Sequence, residues 1–501
     1  MQATSKRESG NAAPQLGHVV FAGVVAALLA MTALGVEINP YDGGISPSSG
    51  TFVSRGLVPY RDFWLLYGPL AGYLMAAVNA VVAPDVMAVK ILGVILLAMQ
   101  ASAGTLLISF RSRSLLVPVL AGAASAGPAA FIGLEVSSWT CAVTCALVAL
   151  WVGTTSRSRR WDVAAGILLA VTTGFRLDVG AYAAIALLIV MRRPWQLIAF
   201  GLAAAPVAAA LLIAVPLPAL FEQLIWYPIV GPRVYRAIGS PVKPAPDPFA
   251  AVVVLGYLWG SRVAILVGAI AAQRLRYPAS SALVIFAALC QLQTLGRGDI
   301  YHITQAGFVA FLCLAIVMVP SIASGGLVAR SRAALVTGVC LFLAALSGIR
   351  PTPTGYEAAL MRAAQYVEER TSSEEPIFVG LTENRYTFSN PLLAYYLAGR
   401  PPGTRYTMYN PGVTNRDDVQ TVMTRELEAS HTRFAILDRS AAQTCEPENA
   451  SCIPGSEVLD EYLRANFGLV ADFGDIVIAE RRATVTGRRL VAGEADRTSV
   501  R

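Results

Sequence analysis

Long apolar runs with short polar breaks fill the first two thirds of the chain. Runs near the spanning length of about 20 residues cover 17–36, 64–83, 86–109, 114–134, 138–154, 161–174, 177–191, 195–215, 250–272, 279–295, 302–322 and 333–349. The first run is long and is not followed by a small-residue cleavage site and a soluble chain, so it does not read as a cleavable signal peptide. From about 352 the pattern changes. Short apolar stretches at 377–380, 434–437 and 475–479 read as strands, and stretches at 388–398, 416–429 and 456–466 read as helices. The pattern predicts an all-α polytopic membrane bundle over 17–350 and a small α/β domain over 351–482. Flanking them are an N-terminal segment, 1–16, and a polar tail, 483–501, expected to be disordered.

Charge sets the orientation. Lys6/Arg7, Arg111/Arg113, Arg157/Arg159/Arg160, Arg192/Arg193, Arg274/Arg276 and Arg330/Arg332 occupy breaks between runs. If all twelve runs span, the first cluster faces away from the rest. If 64–83 does not span, all six share one side, which the positive-inside rule makes the cytoplasm. That run carries Tyr67, Gly68, Pro69, Gly72, Tyr73 and Asn79, which suit an interfacial or re-entrant helix. About eleven spans in a plasma (inner) membrane are expected, with the N-terminus inside and the α/β domain outside. Arg262, within 250–272, fits poorly: it faces the bundle interior, or its helix starts later.

Composition narrows the function. Of 501 residues 55% are hydrophobic and 14% charged, and the mean hydropathy is +0.56. A soluble domain carries about 25% charge, so a soluble enzyme, a disordered chain and a fibrous protein are excluded. The net charge of +7 belongs to the orienting clusters, and no nucleic-acid partner is expected. The inner loops are short and contain no phosphate-cradling P-loop, which argues against ATP-driven transport by this chain alone. Cys141, Cys145, Cys290, Cys313 and Cys340 fall in apolar runs and act as small hydrophobes. Cys445 and Cys452 are the only cysteines of the outer domain, and an oxidising compartment would let them pair.

The first outer loop holds the most chemistry. Asp42 follows Asn39-Pro40-Tyr41 just past the first helix, at the membrane surface. A partly desolvated carboxylate there can be a general base or a metal ligand, or simply a solvated loop acid. Gly56, Pro59, Tyr60, Asp62, Phe63, Pro69 and Leu70 follow in order. This arrangement resembles the GT-C superfamily of membrane glycosyltransferases, in particular the protein O-mannosyltransferase-like members of glycosyltransferase family 39. The match is specific over roughly 37–110 and topological over the next 240 residues. Two departures stand out: Gly43 replaces a second acid, and the second outer loop offers Glu135 instead of an Asp.

The resemblance implies transfer of a sugar from a polyprenyl-phosphate donor to a hydroxyl on a glycan, lipid or protein acceptor, at the outer face and with inversion. Asp42 would be the base, with Asp62 and Glu135 as further catalytic candidates; Asp62 could instead pair with Arg61 or Arg55 to shape the loop. Asp42 and Glu135 could share a divalent metal, Mg or Mn, although no cofactor is certain. A phosphate leaving group needs charge stabilisation. Arg297, Asp299 and His302 in one outer turn and Arg176 and Asp178 in another are candidates, as are Arg61, Arg233 and Arg236. Arg176–Asp178 reads equally as a structural ion pair, and the 216–249 loop, with Trp226 and Tyr227, equally as an interfacial aromatic belt. The rivals are a lipid or glycan transporter or flippase and a non-catalytic envelope-assembly membrane protein; an undecaprenyl-linked polymer ligase stays open.

Overall fold

The structure is a computed structural model and describes residues 16–109, 114–155, 158–231, 248–296, 300–319, 326–347, 353–386, 389–440 and 454–482. Arg233, Arg236, Arg297, Asp299, Cys445 and Cys452 lie outside the described residues, as do Lys6, Arg7, Arg111, Arg113 and Arg157.

Every apolar run contains helix, as it must where no water can satisfy the backbone. The helices are α1 (Leu16–Met31), α2 (Asp42–Ser54), α3 (Leu70–Asn79), α4 (Val86–Ser109), α5 (Leu116–Ala126), α6 (Ala129–Ile132), α7 (Ser138–Thr155), α8 (Arg159–Phe175), α9 (Leu177–Met191) and α10 (Pro194–Ala214). After these come α11 (Leu217–Phe221), a π-helical turn at Glu222–Trp226, α12 (Tyr227–Ile229), α13 (Pro248–Leu275), α14 (Pro278–Cys290), α15 (Leu292–Gly296), α16 (Ile300–Leu312) and α17 (Gly326–Ser347). Among the described residues six helices are long and apolar enough to cross a membrane, and several shorter apolar ones accompany them. The chain is a multi-pass membrane protein. At ten residues α3 rises about 15 Å, half the hydrocarbon thickness, as an interfacial helix would. The run 114–134 breaks into α5 and α6 at Gly127-Pro128, where the proline has no N–H for the ladder. Arg262 takes neither expected place. Helix α13 runs through it unbroken, and its guanidinium lies 4.9 Å from the centre of the Trp259 ring, on a residue 59% exposed.

Helix α2 was not apparent in the sequence, because Asp-Gly-Gly-Ile-Ser-Pro-Ser-Ser-Gly has poor helix propensity. Packing overrides that preference. A Cβ on Gly44 would stand 2.3 Å from the Leu393 nitrogen, and one on Gly50 2.5 Å from the Met75 Cβ. The small residues let α2 lie between α3 and the outer domain.

The outer domain has α18 (Tyr356–Glu368), α19 (Leu393–Ala398), α20 (Asp417–Ala429) and α21 (Val458–Asn466) around strands β1 (Ile377–Leu381), β2 (Phe434–Asp438), β3 (Phe467–Asp472) and β4 (Ile476–Arg481). The sheet order is β1-β2-β4-β3, with β1 parallel to β2 and the other pairs antiparallel. β1 and β2 are buried along their length, whereas β3 is largely open, which hid it from the apolar pattern. His431 is exposed, as a surface histidine should be.

The domain is bound to the first outer loop. Lys90 on α4, 4% exposed, pairs with Glu357 at 3.0 Å, and the Ile38 N–H donates to the same carboxylate at 2.9 Å. The Leu393 N–H donates to the Pro40 carbonyl at 2.9 Å, and the Tyr41 hydroxyl to the Tyr409 carbonyl at 3.0 Å.

Candidate functional site

Four separate stretches converge on one small pocket. Asp42, Ile45 and Ser46 come from α2, Tyr67 from the first outer loop, Ser137, Ser138 and Trp139 from the start of α7, and Arg176 from the α8–α9 turn. Gln293, Tyr301, His302 and Gln305 complete the wall. The enclosed space is about 30 Å³, room for a single hydroxyl-sized group.

Asp42 is the first residue of α2. The Asn39 side chain accepts the N–H groups of Tyr41 and Asp42 at 2.9 and 3.0 Å and donates to the Asp42 Oδ2 at 3.3 Å. Asn39 thus starts the helix and orients the carboxylate, whose charge the helix N-terminus favours. The half-buried Asp42 faces the pocket while Gly43 turns toward Ile38 and the Glu135 Cβ.

Glu135 sits in the short loop before α7. A Cβ on Gly93 of α4 would lie 2.9 Å from the Glu135 nitrogen, so a glycine admits the loop to the bundle. Its Oε1 accepts the Tyr301 hydroxyl, and among the described residues its buried Oε2 has no hydrogen-bond partner. Burial, then the neighbouring Asp42 carboxylate, pushes the Glu135 carboxyl up to about 8. Two carboxyl groups therefore sit side by side, and the nearness of Asp42 is one cause of the raised Glu135 proton affinity.

Arg176 is fixed by a forked pair to Asp178, at 3.0 and 2.8 Å, and lies 5.0 Å from the centres of both the Tyr67 and Trp139 rings. Its side chain is 14% exposed; burial disfavours its charge, but the adjacent Asp178 carboxylate outweighs that and keeps the guanidinium protonated. Gly68 permits this: a Cβ there would lie 2.1 Å from the Gly174 carbonyl oxygen. Only glycine lets the first loop close on the Arg176 turn.

The pocket thus unites Asp42, Arg176 and His302, with Glu135 and Asp178 directly behind them. It does not include Asp62 or Arg61. These two form a forked pair at 2.8 and 2.7 Å, and Asp62 accepts the Val58 N–H at 2.8 Å. Arg61 holds the Asp62 carboxyl below the usual carboxylate range. The pair shapes the turn in which Tyr60 adopts φ 69°, one of the two roles open to Asp62 from sequence. Ser137, Ser138, Trp139, Gln293 and Gln305 were missed. The available signal was polar side chains at the edges of apolar runs, where hydrocarbon makes them costly.

Among the described residues no three His, Cys, Asp or Glu side chains gather as a metal centre. Asp42 and Glu135 offer a two-carboxylate oxygen set whose buried Oε2 is unpartnered, which suits a hard cation that takes its remaining ligands from water and phosphate.

The polytopic helical bundle with its small C-terminal α/β domain has the GT-C fold. ArnT from Cupriavidus metallidurans, in a crystal structure bound to undecaprenyl phosphate, is similar to this chain at a TM-score of 0.54 and 12% identity, covering 94% of this chain and 98% of that one. The Archaeoglobus fulgidus oligosaccharyltransferase tethered with an acceptor peptide is similar at a TM-score of 0.49 and 13% identity, covering 93% and 74%. No protein-family model and no curated protein matches the sequence.

Proposed function

We propose that the chain is a membrane glycosyltransferase that moves a sugar from a polyprenyl-phosphate donor to a hydroxyl acceptor at the outer face, with inversion. The observation that carries this reading is the joint presentation of Asp42 and Arg176 in one pocket. ArnT, whose fold the chain has, is a protein with undecaprenyl phosphate bound, which supports a lipid-phosphate donor.

The acceptor hydroxyl enters beside Asp42 and gives its proton to that carboxylate as its oxygen attacks the anomeric carbon. The carbon–oxygen bond to the phosphate breaks on the opposite face, and the phosphate leaves with the electron pair. Arg176 and His302 meet the charge that develops on it. Glu135, pushed up to about 8, holds its proton at neutral pH beside Asp42. A divalent Mg or Mn, where present, would be held by Asp42 and Glu135 and would supply further charge neutralisation at the phosphate.

The test is transfer by purified protein across a panel of polyprenyl-phosphate sugars, with Asp42→Asn as control. Turnover lost with donor binding kept, and an inverted product, are expected. A retained anomeric configuration or full turnover in Asp42→Asn refutes the mechanism.

A further inference from the structure

A second, larger cleft lies on the other side of the first outer loop. Its volume is about 340 Å³, and Tyr60, Arg61 and Trp64 of the loop, Glu222 and Gln223 of the π-helical turn, and Arg405 and Tyr406 of the outer domain are among its walls. We propose that this cleft is the acceptor subsite and binds a neutral carbohydrate chain; the proposal rests on the glycosyltransferase reading above.

The wall is built for a sugar ring. Trp64 and Tyr406 stack with centroids 6.0 Å apart at 29°, and Tyr227 meets Trp64 edge-on at 6.2 Å. Trp64, 5% exposed, and Tyr227, 2% exposed, back the partly exposed Tyr406 ring, which offers apolar area to the C–H face of a pyranose, with polar groups around the rim for hydroxyls. Gln223 is committed to holding the cleft: its side chain accepts the Leu65 N–H and donates to the Tyr60 carbonyl, both at 2.9 Å. The side chain of Glu222, beside it in the turn, has no hydrogen bond or ion pair among the described residues. A π-helical turn re-aims side chains and recurs at functional sites. Here it presents an uncommitted carboxylate, which only accepts hydrogen bonds and so suits hydroxyl donors.

Charge decides between a glycan and a phosphate. Among the described residues Arg61 is paired with Asp62 and Arg405 with Glu426, so the described walls hold no unpaired cation for a phosphate, whereas Glu222 offers an acceptor to a neutral polyol. The cleft is also within reach of the reaction pocket. Trp64 lines one and Tyr67 the other, and three residues of chain separate their Cα atoms by at most about 11 Å. The Tyr60 hydroxyl, donating to the Tyr67 carbonyl at 2.6 Å, ties the two walls together. A short oligosaccharide seated on Tyr406 can thus present a further hydroxyl to Asp42, whereas a single amino-acid side chain cannot occupy both.

The experiment uses the full chain in lipid nanodiscs. Maltotetraose, cellotetraose and a mannotetraose are titrated alongside inorganic phosphate and a Ser/Thr peptide, with undecaprenyl phosphate measured on the same sample. At least one tetrasaccharide should bind. Glu222→Gln, a near-isosteric change at a partly exposed site, should weaken it about tenfold, as loss of a charged hydrogen bond does, and Tyr406→Ala at least as much. Undecaprenyl phosphate affinity should match wild type in both variants. No binding by any tetrasaccharide, binding unchanged in both variants, displacement of the sugar by phosphate, or the peptide binding in place of every sugar overturns the proposal. Failure of undecaprenyl phosphate to bind wild type counts against the donor reading instead, so the two ideas fail separately.

Discussion

Glu135→Gln should make the protein more stable and less active, and the stability gain should depend on pH in a defined direction. The fold raises the Glu135 carboxyl from the ordinary 4.5 to about 8. A raised acid binds its proton more tightly folded than unfolded, so folding is favoured at low pH. The penalty for ionising it is absent below about 4.5, grows through the interval, and is complete above about 8. At about 1.4 kcal/mol per pH unit across that interval, the full penalty is of the order of 5 kcal/mol as an upper value. Gln keeps the shape and the acceptor for the Tyr301 hydroxyl but carries no charge. Thermal unfolding in detergent with a chelator present, at pH 5, 7 and 9, should show the variant melting close to wild type at pH 5. It should melt several degrees above wild type at pH 9. Asp42→Asn in the same background should shrink that gain, because part of the penalty is repulsion from Asp42. A gap that does not widen between pH 5 and 9, or a variant less stable at pH 9, refutes the reasoning.

Four further outcomes follow. Asp42→Asn should cut transfer by about 10²–10⁴-fold while donor binding persists, measured with radiolabelled donor. Arg176→Lys should keep the charge but lose the fork, so donor affinity should fall only in part, whereas the Arg176→Ala/Asp178→Asn double variant should lose it; equal affinity in all three proteins removes Arg176 as the phosphate receptor. Lys90→Met leaves the Glu357 carboxylate largely buried without its cation, costs about 3–5 kcal/mol, and should speed proteolysis of the outer domain, with Lys90→Met/Glu357→Leu recovering much of the loss. In a cysteine-free background, Ser158→Cys should resist an impermeant thiol reagent in intact cells and Glu374→Cys should label, since both are exposed and lie on opposite sides of the membrane in this topology.

The parts of the fold that were legible are those where the environment leaves the chain little choice. Apolar runs become helices because hydrocarbon satisfies no backbone group, and three short apolar stretches became strands because their sheet is buried on both faces. Asp42, Arg176 and His302 were legible because charges next to a membrane are costly and therefore informative. What stayed hidden was set by distant contacts. Helix α2 forms against Met75 and Leu393, which no local propensity reports. Gly43 and Gly44 admit Ile38 and the backbone of the α/β domain. Asp62 resembles a catalytic acid by motif, yet its two oxygens are occupied by Arg61 and the Val58 N–H.

That close packing bears on how the site works. The segment holding Asp42 is gripped from above by the outer domain, through Leu393 on Pro40, Tyr409 on Tyr41 and the backbone against Gly44. It is held from the side by Glu135 against Gly93 of α4 and by the first loop against Gly174. A loop acid free to move would lose much of its value as a base, since the proton must pass at hydrogen-bond range while the donor carbon is held in line. On the proposed reading the α/β domain thus belongs to the working site: it carries a wall of the second cleft through Arg405 and Tyr406 and fixes the start of α2 through Leu393. Both attachments come from one continuous stretch between β1 and α20, so a change in that stretch alters the placement of the base and the shape of the cleft together.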